Sequence, residues 1–539
     1  MGEPYDYQLT LRMLLEQGIA VAPKQIMKYG DKVSYTYEEH YARVKKLSNL
    51  LKALDVKPGD SIGILEWDTH RFLETLWAVP LYGAMLHTVN VRMSPEQMLY
   101  CINHAEDKIL IVYEEFLPCL ERVKDKLITV KTFIVTNDKG KMPCTTLTNA
   151  LDYETLLQQE SSEYEFPEIS ENTRATMCYT SGTTGKPKGV VFTHRQLVLH
   201  ALASVITNGV YPESLKLNGG DVYMPLTPFF HVQAWTVPYF AFMLGMKFVF
   251  PGKYEPKLIL KYLSQEKVTL SHCVITIFHM IVFHPDAEKF NLRGWKVLLG
   301  GGKLNRCLAE RAEELGIKCI SAYGMTETCP GMALANLKQD LYEIPEEEKM
   351  NYRLKSGIPW CFSRMKIVDE NFEEVPHDGN SVGQVLVRTP WATQEYFKEP
   401  YKTSELWNHG WLNTGDLGTI DKMGYLCITD RLKDAIKSGG EWISTLTLED
   451  VISCHKDVYE CAVIGVPDSK WGERPAAYIF LKDNAIVSSE DIHKHLEKFA
   501  EEGTISRWWI PDIYIFVKRI PHNFVGKIDK RQLKNLYCV

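Results

Sequence analysis

The densest chemistry in the chain is Tyr179-Thr-Ser-Gly-Thr-Thr-Gly-Lys-Pro-Lys-Gly189. From Ser181 to Gly189, nine residues hold three hydroxyl side chains, three glycines and two lysines. Glycines let backbone N–H groups close on an anion. Hydroxyls add donors, and lysines add charge. Such a loop fits a polyphosphate. It is not a P-loop, which requires G-x-x-x-x-G-K-[S/T]. Gly182 and Gly185 are separated by two residues, and Pro187 stands where Ser or Thr would meet magnesium. The apolar run 175–179 before it and the helical run 196–205 after it predict a strand-to-helix connection.

Further stretches share this character. They are Pro228-Phe-Phe-His231, Tyr323-Gly-Met-Thr-Glu-Thr328, Asn413-Thr-Gly-Asp416, Asp430-Arg-Leu-Lys-Asp-Ala-Ile-Lys-Ser-Gly-Gly-Glu-Trp442 and Pro521-His-Asn-Phe-Val-Gly-Lys527. Together with the loop, in this order and spacing, they resemble the signature motifs of the AMP-forming adenylating enzymes over nearly the whole chain. Leu86-His-Thr-Val-Asn90 and Asn103-His-Ala-Glu-Asp107 resemble medium- and long-chain fatty-acyl-CoA synthetases within that superfamily.

The resemblance implies a two-step reaction. A fatty acid and ATP give an acyl-adenylate and pyrophosphate; CoA then takes the acyl group and AMP leaves. Lys527 is the implied adenylating residue. Thr184 and Glu327 would hold Mg2+, a hard cation that prefers oxygen ligands. Thr180, Ser181, Gly182, Thr183, Thr184 and Lys188 would cradle the phosphates. Gly301, Gly302, Tyr323, Gly324 and Thr326 would face the adenine side. Asp416 would accept the ribose hydroxyls, with Arg431, Lys433 and Lys437 on the ribose and phosphate side.

His231, Trp235, Gly301 and Met325 would line the acyl end. His231 and Trp235 also read as members of an aromatic core cluster. Where they serve the acid, Trp235 resembles the gate of an acyl tunnel. The segment around Asp430 to Lys433 would be a hinge, and Ser438, Gly439, Gly440 and Trp442 would form the CoA face. Three places depart from the family pattern. Val274-Ile275-Thr276 lacks a proline where acyl shape is read, Gly383-Gln384 replaces Gly-Glu, and Glu395-Tyr396 replaces Gly-Tyr.

These residues need a scaffold, and the sequence predicts an α/β one. Tyr41, Val44, Leu47, Leu50, Leu51 and Leu54 recur at helical spacing, and residues 61–65, 109–113, 133–135, 248–250 and 297–299 are apolar runs of strand length. The expected architecture is layered α/β subdomains with mostly parallel strands. A small β-rich subdomain is expected at about 358–428, with runs 365–368 and 383–387. The expected division is an N-terminal domain over residues 1–430 and a mobile α+β domain over 431–539, with strands near 462–466, 476–481 and 514–517 and a helix at 490–502.

Composition bounds the reading. The chain has 539 residues, 45% hydrophobic and 24% charged, with a formal charge of −7. That excludes fibrous and disordered classes and gives no global basic field for nucleic acid. No apolar run is long enough for a transmembrane segment. The 13 cysteines include no C-x-x-C pair, which predicts reduced thiols and a cytoplasmic enzyme. A homodimer is expected from the resemblance alone. The rival functions are an aryl-CoA ligase, a ligase that loads a carrier protein, a luciferase-like oxygenase and a non-catalytic acyl or nucleotide sensor. Presence of both Lys527 and Glu327 opposes the sensor.

Overall fold

The computed structural model describes residues 5–180, 186–439, 441–522 and 528–537. Two large sheets dominate. A seven-stranded sheet runs Ala150–Asp152, Thr132–Thr136, Asp107–Tyr113, Ser61–Leu65, Met85–Thr88, Arg174–Thr180 and Lys188–Thr193. All its pairings are parallel except the last. A nine-stranded sheet has at its centre the parallel strands Lys247–Phe250, Val222–Tyr223, Leu270–Val274, Lys296–Gly300 and Lys318–Gly324. Ser61–Leu65 is buried at every residue. It shows no polar alternation because both faces of a parallel sheet are covered.

The helices begin where their sequences say they should. Thr36 with Glu39, Ser94 with Gln97 and Thr193 with Gln196 form capping boxes, each satisfying orphan N–H groups of the first turn. Trp77, fully buried, meets Tyr239 and Phe242 edge-on at 5.0 and 5.5 Å. Helix His70–Tyr82 is thereby packed on the segment that follows the aromatic-His motif.

The β-rich region is a five-stranded sheet of Arg364–Val368, Gly383–Arg388, Trp411–Ile420, Trp407–Asn408 and Leu426–Arg431. Beyond it, Val458–Asp468 and Gly472–Leu481 form a ten-pair antiparallel ribbon, and Ile513–Phe516 adds in parallel. Residues 436–533 build their own apolar clusters, separate from the main one.

One expectation is corrected. The phosphate loop is not a strand-to-helix connection. Lys188–Thr193 is a strand that pairs antiparallel with Arg174–Thr180, and helix His194–Gly209 starts only after it. The apolar run Gly189-Val-Val-Phe192 has strand composition, and it takes the free edge of the sheet.

Gly357 joins the nine-stranded and β-rich sheets by exchanging two backbone hydrogen bonds with Leu426, at 3.2 and 2.8 Å. Its φ is +101°, and a Cβ there would lie 2.0 Å from the Leu334 carbonyl carbon. Both facts demand glycine. Gly357→Ala is expected to cost roughly 2–4 kcal/mol, the range of backbone-displacing substitutions. An unchanged urea midpoint would contradict the assignment.

Candidate active site

The strands that flank the expected phosphate loop are braced from both sides. Gly189 accepts the Phe397 N–H at 2.8 Å, and its missing Cβ leaves room for Met177 and Phe397, 3.1 and 3.2 Å from where that atom would stand. Thr180 pairs with Lys188. The Lys188 ammonium lies 4.3 Å from the centre of the Tyr396 ring, and Lys186 lies 5.0 Å from that of Tyr100. Cation–π contact holds both charges beside the loop. Ser181, Gly182, Thr183 and Thr184 lie outside the described residues.

Glu327 sits in the short turn Thr326–Thr328 after strand Lys318–Gly324. The turn folds tightly on itself. Gly324 would, with a Cβ, come within 1.8 Å of the Pro330 oxygen. Met325 donates its N–H to Pro330 O at 3.2 Å, and the Thr328 hydroxyl bonds Met325 O at 3.0 Å. The Glu327 side chain is buried and accepts the Tyr396 hydroxyl at 2.7 Å, while its backbone oxygen takes the Thr393 N–H at 2.8 Å. Burial and this carboxylate push the Tyr396 hydroxyl pKa far up, so it stays a donor. A buried carboxylate fixed in this way fits a magnesium ligand.

Residues expected on the adenine and ribose side converge. Tyr323 donates its hydroxyl to Asp416 Oδ2 at 2.6 Å, and Arg431 Nε is 3.4 Å from Asp416 Oδ1. Asp416 and Arg431 are register partners on adjacent strands, Trp411–Ile420 and Leu426–Arg431. Burial, and then Asp416, raise the Tyr323 hydroxyl pKa well above its ordinary value. Lys433 is near the same group; burial pulls its pKa down, and Arg431 adds to the shift.

Lys437, Ser438, Gly439 and Trp442 form a second group. Strands Ile436–Ser438 and Glu441–Ile443 place Lys437 opposite Trp442, with the ammonium 5.2 Å from that ring's centre and 3.5 Å from Glu370. Ser438 is buried. Gly439, at φ +60°, donates its N–H to Trp471 O at 2.9 Å, and a Cβ would lie 3.1 Å from the Trp471 ring. Trp471 meets Trp508 edge-on at 4.8 Å. Gly440 and Lys527 are outside the described residues.

The acyl-end motif has an unusual backbone. Val232, Gln233, Ala234, Trp235 and Thr236 have φ of 50°, 47°, 49°, 59° and 58°. The turn after His231 is therefore left-handed, not the ordinary helical turn that its spacing suggests. Non-glycine residues in this region cost on the order of 1 kcal/mol each. Internal bonds support it, Ala234 N–H to His231 O at 3.1 Å and Thr236 N–H to Gln233 O at 3.1 Å. His200 pins its end, with Nδ1 2.7 Å from the Thr236 hydroxyl and Nε2 accepting the Gly331 N–H at 3.0 Å.

The turn lays Trp235 over the carboxyl ends of two parallel strands. Its ring is 5.3 Å from that of His272 and 3.0 Å from where a Cβ on Gly300 would stand. Gly301 and Gly302 follow, both exposed. Met325 packs against the main core. Strand carboxyl ends are where open α/β sheets bind ligands.

Four residues that the motifs did not single out as site residues emerge: Asp68, His200, Tyr396 and Trp471. Asp68 accepts the Phe229 N–H at 2.8 Å and the Tyr254 hydroxyl at 2.6 Å, and its backbone oxygen takes the Gly252 N–H at 3.0 Å. It thus fixes the aromatic-His motif from beneath. The readable signal was Glu66-Trp-Asp-Thr-His70, a polar run at the end of an apolar strand. Asp68 is fully buried, which raises its pKa to about 7 against the pull of those hydrogen bonds.

Comparison with known proteins agrees with this geometry. Residues 15–397 match the AMP-binding enzyme family, and residues 447–527 match the AMP-binding enzyme C-terminal domain. The chain is 36% identical to a long-chain-fatty-acid–CoA ligase of Thermus thermophilus, over 99% of this chain and 96% of that one. It is 34% identical to a medium-chain-fatty-acid–CoA ligase of Ectopseudomonas oleovorans, over 100% of this chain and 97% of the relative. In fold it resembles the anthranilate CoA ligase AuaEII in complex with anthranoyl-AMP, with a TM-score of 0.86 at 23% identity, covering 99% of this chain and 98% of that one.

Asp68 generates a prediction. A carboxyl whose folded pKa lies above its unfolded value near 4 holds its proton more tightly when folded. Its contribution to stability is complete below pH ~4 and is lost as pH rises through about 7. The loss is roughly 3–4 kcal/mol in order of magnitude. Asp68→Asn cannot ionise, so its melting temperature should fall less than wild type's between pH 5 and 8. Parallel profiles would contradict the assignment.

Proposed function

The chain belongs to the AMP-binding enzyme family, and from that premise we propose that this acid–thiol ligase activates a medium- or long-chain fatty acid with ATP and transfers it to CoA. The observation that carries this reading is the Tyr323–Asp416–Arg431 group. An anionic acceptor, an aromatic ring and a cation from three neighbouring strands suit a ribose, a base and a phosphate.

In the first step a carboxylate oxygen attacks the α-phosphorus of ATP. The bond to the bridging oxygen breaks, and its electron pair leaves on pyrophosphate. Lys188, held on Tyr396, sits where the phosphates arrive, and Lys527 approaches the carboxylate and the α-phosphate. Glu327 and Thr184 would hold Mg2+, which neutralises phosphate charge when bound. The protein's own task is to position and to neutralise. In the second step the CoA sulfur attacks the acyl carbon, and the carbon–oxygen bond to AMP breaks.

Fatty acid is preferred over an aryl acid because of Trp235. Its ring covers Gly300 at the strand ends and is carried on a strained turn. An aromatic ring in this place, over Gly300, suits a gate for a long apolar chain. The two fatty-acid ligases at 36% and 34% identity support the same substrate class. Gly439, with Trp471 and Trp508 around it, suits the CoA face.

Two outcomes are expected. With a panel of acids, pyrophosphate release should be highest with linear acids of about eight to sixteen carbons, and acyl-CoA should form only when CoA is present. Preference for benzoate-type acids would move the assignment to an aryl-CoA ligase. Lys527→Ala should lower acyl-adenylate formation by roughly 10²–10³-fold, as for loss of one charge-stabilising donor. It should spare thioester formation from supplied adenylate. Equal loss of both steps would overturn the role given to Lys527.

A further inference from the structure

Lys303 follows directly on Gly300-Gly301-Gly302, the turn at the substrate end of strand Lys296–Gly300. Its ammonium forms an ion pair with Asp450, and each side chain is 24% exposed. Asp450 lies on helix Thr445–Ser453, whose packing is with the C-terminal cores and not with the main one. Away from the junction at Asp430, two other side-chain contacts given among the described residues cross between these parts of the chain. Lys437 meets Glu370 at 3.5 Å on the surface, and His279 meets the Tyr459 ring edge-on at 5.8 Å. Of these, Lys303–Asp450 is the charged pair with both partners largely covered.

The same helix has a second fixed point. The Thr445 N–H donates to Asp430 Oδ2 at 2.8 Å, and the Ser444 hydroxyl bonds Thr429 O at 2.6 Å. That end is a pivot, because it sits where the chain crosses from one core to the next. Asp450 is more than a turn further along. With one end held at the pivot, the Lys303 pair fixes the direction in which the helix points.

What the helix carries gives this direction its meaning. Glu449 and Thr445 hold the Lys530 ammonium at 2.8 and 2.5 Å. Lys530 opens the helix Lys530–Tyr537 and lies three residues from Lys527 in sequence. A chain of fixed contacts therefore runs from the glycine turn through Lys303, Asp450, Glu449 and Lys530 toward Lys527.

We propose that Lys303 is a positioning residue, which with Asp450 docks the C-terminal part of the chain in the adenylating arrangement. Lys303 does not touch the reacting atoms. It ties the part of the chain that carries Lys527 in sequence to the glycine turn, so an altered turn changes how firmly the docking is held. Thioester formation does not use Lys527, so it does not need this pair. The inference rests on the adenylate-forming reading above.

The test compares Lys303→Met, Asp450→Asn and the exchanged pair Lys303→Asp with Asp450→Lys. Acid-dependent exchange of pyrophosphate into ATP without CoA reads the first step. Single-turnover conversion of supplied acyl-adenylate with CoA reads the second. Each single variant should lose about tenfold in exchange, equal to roughly 1.4 kcal/mol. Each should keep thioester formation within about twofold of wild type, which also reports that the variant is folded, and the exchanged pair should regain most of the loss, as coupled charges do. Equal loss in both steps, unchanged exchange, or no recovery in the exchanged pair overturns the proposal. A wild-type enzyme silent in both steps overturns the adenylate-forming reading instead, and the docking role with it.

Discussion

A single carboxylate joins parts of the chain that fold around different sheets. Asp416 stands on the β-rich sheet, takes the hydroxyl of Tyr323 from the nine-stranded sheet and pairs with Arg431, the last residue of strand Leu426–Arg431. Charge cannot be left unpartnered in so covered a place. The acceptor therefore draws the strands of these parts to one point, where the residues proposed for the nucleotide side gather. Glu327 makes the second such tie, through Tyr396 and Thr393.

Around these ties the backbone holds strain. Five consecutive left-handed residues carry Trp235, supported by His200 and by the Asp68 bonds beneath Phe229. Strain of this kind persists only where its surroundings over-determine it. Here the supports come from helix His194–Gly209, strand Gly331–Leu334 and the loop after Ser61–Leu65. Among the described residues no helix is long and apolar enough to cross a membrane.

Much of the fold was legible because periodicity and punctuation are local. The runs 61–65, 109–113 and 297–299 became buried parallel strands, and the runs near 462–466 and 476–481 became the antiparallel ribbon. The strand Lys188–Thr193 was missed, since Gly189–Phe192 is short and apolar and pattern alone does not separate a strand there from the start of a helix. Tyr323, Asp416 and Arg431 were legible from their motifs and do meet. Asp68, His200 and Trp471 were not, because their roles arise from partners 161, 131 and 32 residues away. The handedness of the turn at 232–236 was invisible too. Nothing in Val-Gln-Ala-Trp-Thr favours positive φ, and tertiary contacts impose it.

The central chemical claim is that a carboxylate oxygen attacks the α-phosphorus of ATP. It is tested most directly by supplying a fatty acid labelled with oxygen-18 in its carboxyl group, with ATP and CoA, and weighing the products. The adenylate route predicts one labelled oxygen in AMP and none in pyrophosphate. Label in inorganic phosphate, with ADP formed in place of AMP, would contradict it.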